Sequence, residues 1–186
     1  MMRTQAVYRS LYVRVFRLFA RKRFRSFGHN VYVFPGVDCS GEMCIEIGDD
    51  VVLLDQTVLA AERGMMGGAD GLLQIGSGCS IGRRNHIYAR EKIIIGKRVI
   101  TASNVYISDC THTFENVLIP IMDQPVRTVG AVEIGDGAWI GQNACIIGCR
   151  IGKNSVIGAN AVVLNDIPDH SVAVGIPAKV VRRVSA

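Results

Sequence analysis

The chain reads as a parallel β-helix, on three observations. Between Ile134 and Val163 an aliphatic residue recurs at Ile134, Ile140, Ile146, Ile151, Ile157 and Val163. Glycine follows it at Gly135, Gly141, Gly152 and Gly158, and a short residue stands four places after it at Ala138, Ala144, Ser155 and Ala161. A helix would return its apolar face about every 3.6 residues and a strand every second residue. A six-residue step instead describes a short strand, a corner and another short strand. The aliphatic side chain points inward, and the small residue sits where the corner has no room. Stacked turns of that kind bury one continuous core. The fold class is therefore mainly β, with an N-terminal amphipathic helix ahead of the coils and a long loop interrupting them.

The elements follow in chain order. Residues 4–25 read as one helix, with Val7, Tyr8, Leu11, Tyr12, Val15, Phe16, Leu18 and Phe19 on one half of the wheel and Arg3, Arg14, Arg17 and Arg21 on the other. Such a helix either lies on an anionic lipid surface or packs its apolar face on the coil. Residues 1–30 hold eight basic residues and no acid, although the whole chain is only +5, so the remainder is net acidic. One basic end, rather than a basic protein, argues against a nucleic-acid binder.

Repeats begin raggedly near Val31, and Ile47, Leu53 and Leu59 form the first clear run. Residues 60–71 are glycine-rich and read as a loop. Ile75, Ile81 and Ile87 resume the count with Cys79 and Asn85 at the small position, then Ile95, Thr101 and Ile107. Residues 109–131 leave the period as a polar loop with Pro120, Pro125 and a histidine near its start. Long loops on rigid solenoids are where sites are built. After Val163, Asn165–Asp169 is a turn around Pro168, Val172–Val174 is a last strand, and Gly175–Pro177 leads into a short basic tail. The chain divides into residues 1–30 and a coil domain of residues 31–186.

The composition sets bounds. The 186 residues suffice for one domain with a sizeable core, and 49% are hydrophobic, which excludes a disordered chain. No apolar run reaches the roughly 18 residues that span a membrane. Arginines interrupt the first apolar residues, so no signal peptide is visible and a cytoplasmic location is expected. The six cysteines show no CxxC or Cys/His metal spacing and read as reduced thiols.

IGDGAWIGQNACI and IPDHSVAVGIPAKVVRRV carry a resemblance to the hexapeptide-repeat acyltransferases, which runs from about Val31 to Val184. The resemblance implies a left-handed coil, against the usual right-handed preference of β-crossovers. It also implies a homotrimer with sites between subunits, and direct transfer from acetyl-coenzyme A with no metal. His112, in a loop upstream of a Trp-Ile-Gly hexad, matches the general base, a task that suits an imidazole titrating near neutral pH. Asp109 either orients that imidazole or makes an Asx-turn. Cys110 offers a rival covalent route, which the family does not use.

The same resemblance places Trp139, Gly141, Gln142, Ala159 and Asn160 along the pantetheine groove, unless Trp139 merely fills a corner. It sets Lys179, Arg182 and Arg183 against the nucleotide phosphates. Asn85, His86 and Tyr88 fall on the acceptor side, with Asn85 equally a corner residue. One step departs from the pattern. Ile146 to Ile151 spans five residues, which would flip the following side chains unless the corner absorbs the slip. The expected activity is O-acetylation of a sugar hydroxyl in a surface polysaccharide or its lipid-linked precursor, at the inner membrane face where residues 1–27 would dock. The alternatives are N-acetylation of an amino-sugar nucleotide and a non-enzymatic β-helix scaffold.

Overall fold

The computed structural model describes residues 13, 15–16, 18–20, 22–62 and 72–184. Short strands stack into three parallel sheets of six, eight and six strands, the last two of the eight being antiparallel to each other. Each coil visits the three faces in turn. The first begins with Ser26–Phe27, Tyr32–Val33 and Asp38–Ser40, a little ahead of the repeats legible in the sequence. The periodic aliphatics fill the interior: Ile47, Leu53, Leu59, Ile75, Ile81, Ile87, Ile95, Ile107, Ile140, Ile146, Ile151, Ile157 and Val163 are all at most 1% exposed. Ala138, Ala144, Ser155 and Ala161 are equally buried, as the six-residue period requires of its small positions.

The corners turn on residues with positive φ, and many are not glycine. Asn30, Asp50, Asn104, Asn143, Asn154 and Asn160 all lie in the left-handed region. Asparagine and aspartate tolerate it because their short side chains bond locally. At one corner those side chains bond to each other: Asn104 donates to Asn143 and Asn143 to Asn160, both at 2.9 Å. The short step between Ile146 and Ile151 is absorbed in the same way. Gly148 takes φ 54° and a Cβ there would lie 2.7 Å from the Val129 carbonyl, so the chain makes up the missing residue without turning Ile151 outward.

Four features differ from the expectations. Residues 60–71 are not all loop, because the strand Val58–Ala61 continues the third face; residues 63–71 lie outside the described ones. The stretch 109–131 carries an antiparallel hairpin, Cys110–His112 against Val126–Thr128. Its tip is apolar rather than polar, with Val117, Leu118 and Met122 almost fully exposed. The tail after Pro177 is the strand Ala178–Arg183, folded back on Ser171–Gly175.

The fourth concerns the N-terminal helix, whose described residues run from 13 to 23. It packs on the first coil through Ala20 and the following Phe24, with the Phe24 ring 5.2 Å from that of Phe27, and Val13 is buried as well. Phe16 joins that packing, whereas Val15, Leu18 and Phe19 from the same wheel half face solvent. The spacing 13, 16, 20, 24 sets a stripe rotated from the one the wheel suggests. Val7, Tyr8, Leu11, Tyr12, Arg3, Arg14, Arg17 and Arg21 lie outside the described residues.

Candidate active site

The three faces differ in what they turn outward. The first face is mostly polar, with Glu46, Gln74, Ile94, Glu133 and Arg150 in register. Arg25 pairs Glu46 at 3.2 Å and Lys92 pairs Glu133 at 3.9 Å. The second face presents Tyr32, Val52, Ser80, Ile100, Trp139, Val156 and Val172 in one ladder. The third presents Asp38, Val58, His86, Tyr106, Cys145 and Val162. One face is built for water; the other two carry apolar stripes with exposed aromatic rings, which mark interaction surfaces.

His112 stands at the edge where the third face gives way to the first. The hairpin leaves the coil there and is closed at its base by the amide of Val129 donating to the carbonyl of Asp109 at 2.8 Å. Gln124 braces its interior, donating to the carbonyls of Asn116 at 2.9 Å and Ile119 at 2.8 Å. The result is a stiff arm with an exposed imidazole near its base.

Asp109 does not orient that imidazole. It is fully buried, and its carboxylate accepts the amides of Arg90 at 2.8 Å, Glu91 at 2.8 Å and Lys92 at 2.6 Å. Those amides belong to the corner one coil below, where the chain turns between faces and leaves donors without carbonyl partners. A buried carboxylate with several lone pairs answers that need. Asp109 is thus a positioning residue for the hairpin base.

Asn85 is also a corner residue. It is buried, its amide group donates to Thr101 Oγ1, and its oxygen accepts the Val105 amide at 2.8 Å. Both ends are spent inside the coil, so it has nothing to offer an acceptor. His86 and Tyr88 do reach the surface of the third face. His86 meets Tyr106 edge-on at 5.9 Å, and Tyr88 registers beside Ser108 at the base of the hairpin. The Tyr88 hydroxyl lies 3.4 Å from Glu62 Oε2, to which Arg90 donates at 2.7 Å. Glu62 and Arg90 were not legible as site residues, because the glycine-rich break hides that they share an edge.

Cys110 is buried beside Ser108, and burial pushes its thiol up, with the nearby Asp109 adding to the effect. A thiol held protonated is a poor nucleophile. The Cys110→Ala variant is expected to retain turnover, read as acetyl transfer per active site; an acyl adduct trapped on Cys110 in the parent enzyme would overturn this.

Trp139 is half exposed on the second face, registered between Ile100 and Val156. Gly141, next but one, is buried and its amide already donates to Ile157 at 2.8 Å, with no room for a Cβ beside Ala159. Gly141 therefore serves coil packing and is not open to a ligand. Gln142, Ala159 and Asn160 sit exposed at the corner between the second and third faces. Among the described residues the amides of Gln142 and Ala159 have no acceptor, which leaves them open to acceptor groups lying along that corner. Lys179, Arg182 and Arg183 are exposed on the final strand, with Lys179 opposite Val174 and Arg182 opposite Val172.

In a three-sided coil, the edge that carries His112 is opposite the second face that carries Trp139. One chain therefore places His86 and Tyr88 on the third face and His112 at its edge, and Trp139 with the basic strand on the second face. Among the described residues no three His, Cys, Asp or Glu side chains gather as metal ligands, and no helix is long and apolar enough to cross a membrane.

Comparison with known proteins adds the context. No family model matches the chain. A Mycobacterium tuberculosis protein named an acetyltransferase is 37% identical over 139 residues, which is 74% of this chain and 44% of that one. An Escherichia coli protein named a lipopolysaccharide biosynthesis O-acetyl transferase is 36% identical over 105 residues, 53% of this chain and 54% of that one. The chain spans about half the length of these curated relatives. Among solved structures, an N-acyltransferase of Bacillus cereus in complex with dTDP and coenzyme A superposes with a TM-score of 0.77 at 22% identity, covering 91% of this chain and 89% of that one. The fold shared with such acyltransferases is the left-handed parallel β-helix. With its six-residue repeats, its closing strand pair and these relatives, the chain belongs to the hexapeptide-repeat acyltransferase family.

Proposed function

We propose that this protein transfers an acetyl group from acetyl-coenzyme A to a sugar hydroxyl, with His112 as the general base. The observation that carries the reading is the exposed imidazole on a braced arm, beside the His86–Tyr88 surface. The acceptor hydroxyl gives its proton to His112 as its oxygen attacks the thioester carbonyl. The carbonyl oxygen gains charge, which backbone N–H groups stabilise, and the thiolate of coenzyme A leaves and is reprotonated.

The opposite placement of His112 and Trp139 supports a site completed by a second copy. A closed ring of like subunits needs two different complementary patches on each chain, and the apolar second and third faces supply them. Seating the second face of one copy on the third face of its neighbour brings Trp139 and the free amides of Gln142 and Ala159 toward the neighbour's His112 edge. A homotrimer is the assembly proposed.

A surface polysaccharide, or its lipid-linked precursor, is the proposed acceptor. The E. coli relative's name points that way, and so do the basic residues at the N-terminus of this chain. Residues 1–27 are proposed to touch anionic membrane at the cytoplasmic face, through the solvent-facing Val15, Leu18 and Phe19 and their basic neighbours. N-acylation of an amino-sugar nucleotide is the second reading, favoured by the N-acyltransferase that shares the fold.

Two measurements test the proposal. Mass spectrometry over neutral sugars and amino-sugar nucleotides is expected to find O-acetylated sugar; an N-acetylated product instead decides for the second reading. Coenzyme A is expected to raise the melting temperature of the protein. Removing the charges of Lys179, Arg182 and Arg183 is expected to raise the KM for acetyl-coenzyme A by roughly tenfold or more while changing kcat little, since phosphates remote from the reacting carbon contribute uniform binding. A change in the acceptor's KM instead would reassign those residues.

A further inference from the structure

Where the N-terminal helix meets the first coil it leaves a cavity of about 350 Å³. Ligand pockets begin at about this size. Among the described residues its walls are Val15, Phe16, Phe19, Ala20, Phe24 and Val37, and its polar lining is Arg23, Asp38, Cys39 and Glu42. Arg23 and Glu42 pair with each other, so the polar rim is largely self-satisfied and the interior takes apolar matter. Burial pushes the Cys39 thiol up to about 12, and the carboxylates of Glu42 and Asp38 add to the effect. At the mouth Val15 and Phe19 are 45% and 65% exposed.

The cavity lies at the first-coil end of the third face and reaches, at Glu42, the edge that carries His112. Asp38–Ser40 of the first coil stack under Val58–Ala60 of the second, these under His86–Tyr88 of the third, and these under Tyr106–Ser108 of the fourth. The hairpin with His112 leaves directly after Ser108. Three coil spacings of about 4.8 Å each put the cavity roughly 14 Å from the base of the hairpin. Tyr88 and the Glu62–Arg90 pair line the track between, offering hydroxyl, carboxylate and guanidinium groups of the kind that bind sugar hydroxyls.

We propose that the cavity holds the hydrocarbon chain of an amphiphilic acceptor, a saccharide carried on a lipid, whose sugar reaches His112 along this edge. The proposal rests on the carbohydrate reading above and adds a site for the chain. The helix then serves as one wall of a binding site as well as a cap on the coil.

The test compares methyl and dodecyl glycosides of one accepted sugar, below the micelle concentration, in the full-length enzyme. Each buried methylene is worth roughly a fourfold gain, so the dodecyl glycoside is expected to show a KM at least about tenfold lower. The double variant V15E/F19E charges the mouth at two exposed positions, and F19E alone does so more gently. Either is expected to keep its melting temperature and its turnover of the methyl glycoside, and V15E/F19E to shrink the chain-length advantage below about twofold.

A KM independent of chain length, or an advantage that survives in V15E/F19E, overturns the proposal. If neither glycoside is acetylated, the carbohydrate reading fails, and equilibrium dialysis with lauric acid judges the cavity alone. One equivalent bound by the parent chain and lost in V15E/F19E supports the hydrocarbon site; no binding removes it. Lauric acid bound without any glycoside chain-length effect would give the cavity to a membrane lipid and overturn its role in the acceptor.

Discussion

Replacing His112 by alanine is expected to lower kcat by roughly 10²–10⁴, the usual worth of a positioned base. The loss should fall equally on kcat and kcat/KM, because proton removal is a contribution made in the transition state and not in the ground state. The KM for acetyl-coenzyme A should stay unchanged, since the groups proposed for the coenzyme lie on a different face. The fold gives a clean background. The His112 side chain is exposed and makes no hydrogen bond or ion pair among the described residues, and the pairing of its strand with Val126 uses only backbone. Exposed substitutions of this kind move stability by about 0.5 kcal/mol or less. A melting temperature within about 2 °C of the parent should therefore accompany the loss. Turnover within threefold of the parent would remove His112 from the mechanism.

Replacing Asp109 by alanine is expected to act on stability first. Three buried amides lose their acceptor at once, at 2.8, 2.8 and 2.6 Å. Hydrogen bonds to a charged group contribute about 1.5–3 kcal/mol each, and a buried donor left without a partner costs its desolvation. Water entering the space offsets part of this, so a net loss of about 3–5 kcal/mol is expected, lowering the melting temperature by about 10 °C or more. Asp109→Asn should recover only part, because its NH₂ group opposes one of the three donors. Activity should fall with the folded fraction and return on cooling, as the hairpin base regains its place. A full-stability Asp109→Asn enzyme with turnover lost at every temperature would show instead that Asp109 acts on the imidazole.

The contrast between these two residues shows where sequence reading succeeds. The period of six determined the coil, its inward aliphatics and its small corner residues, because each coil repeats the same local demand and the residue that meets it recurs. The exposure of His112 followed from its place outside that period. The basic strand was legible as a motif, although its return onto Ser171–Gly175 was not, since antiparallel pairing depends on a turn that no repeat announces.

What only the tertiary structure decided was which polar groups are already spent. Asp109 and Asn85 carry side chains suited to a site, and both are consumed by backbone amides of neighbouring corners. Gly141 looked open to a ligand until the next coil closed over it. The helix buries Val13, Ala20 and Phe24 and leaves Val15 and Phe19 at the mouth of a cavity, a choice set by the shape of the first coil. In each case the deciding partner lies at least sixteen residues away, or on a separate element. A stacked coil creates unsatisfied donors and close approaches between turns, and a sequence carries no record of which turn lies above which until the loops between them have been counted in space.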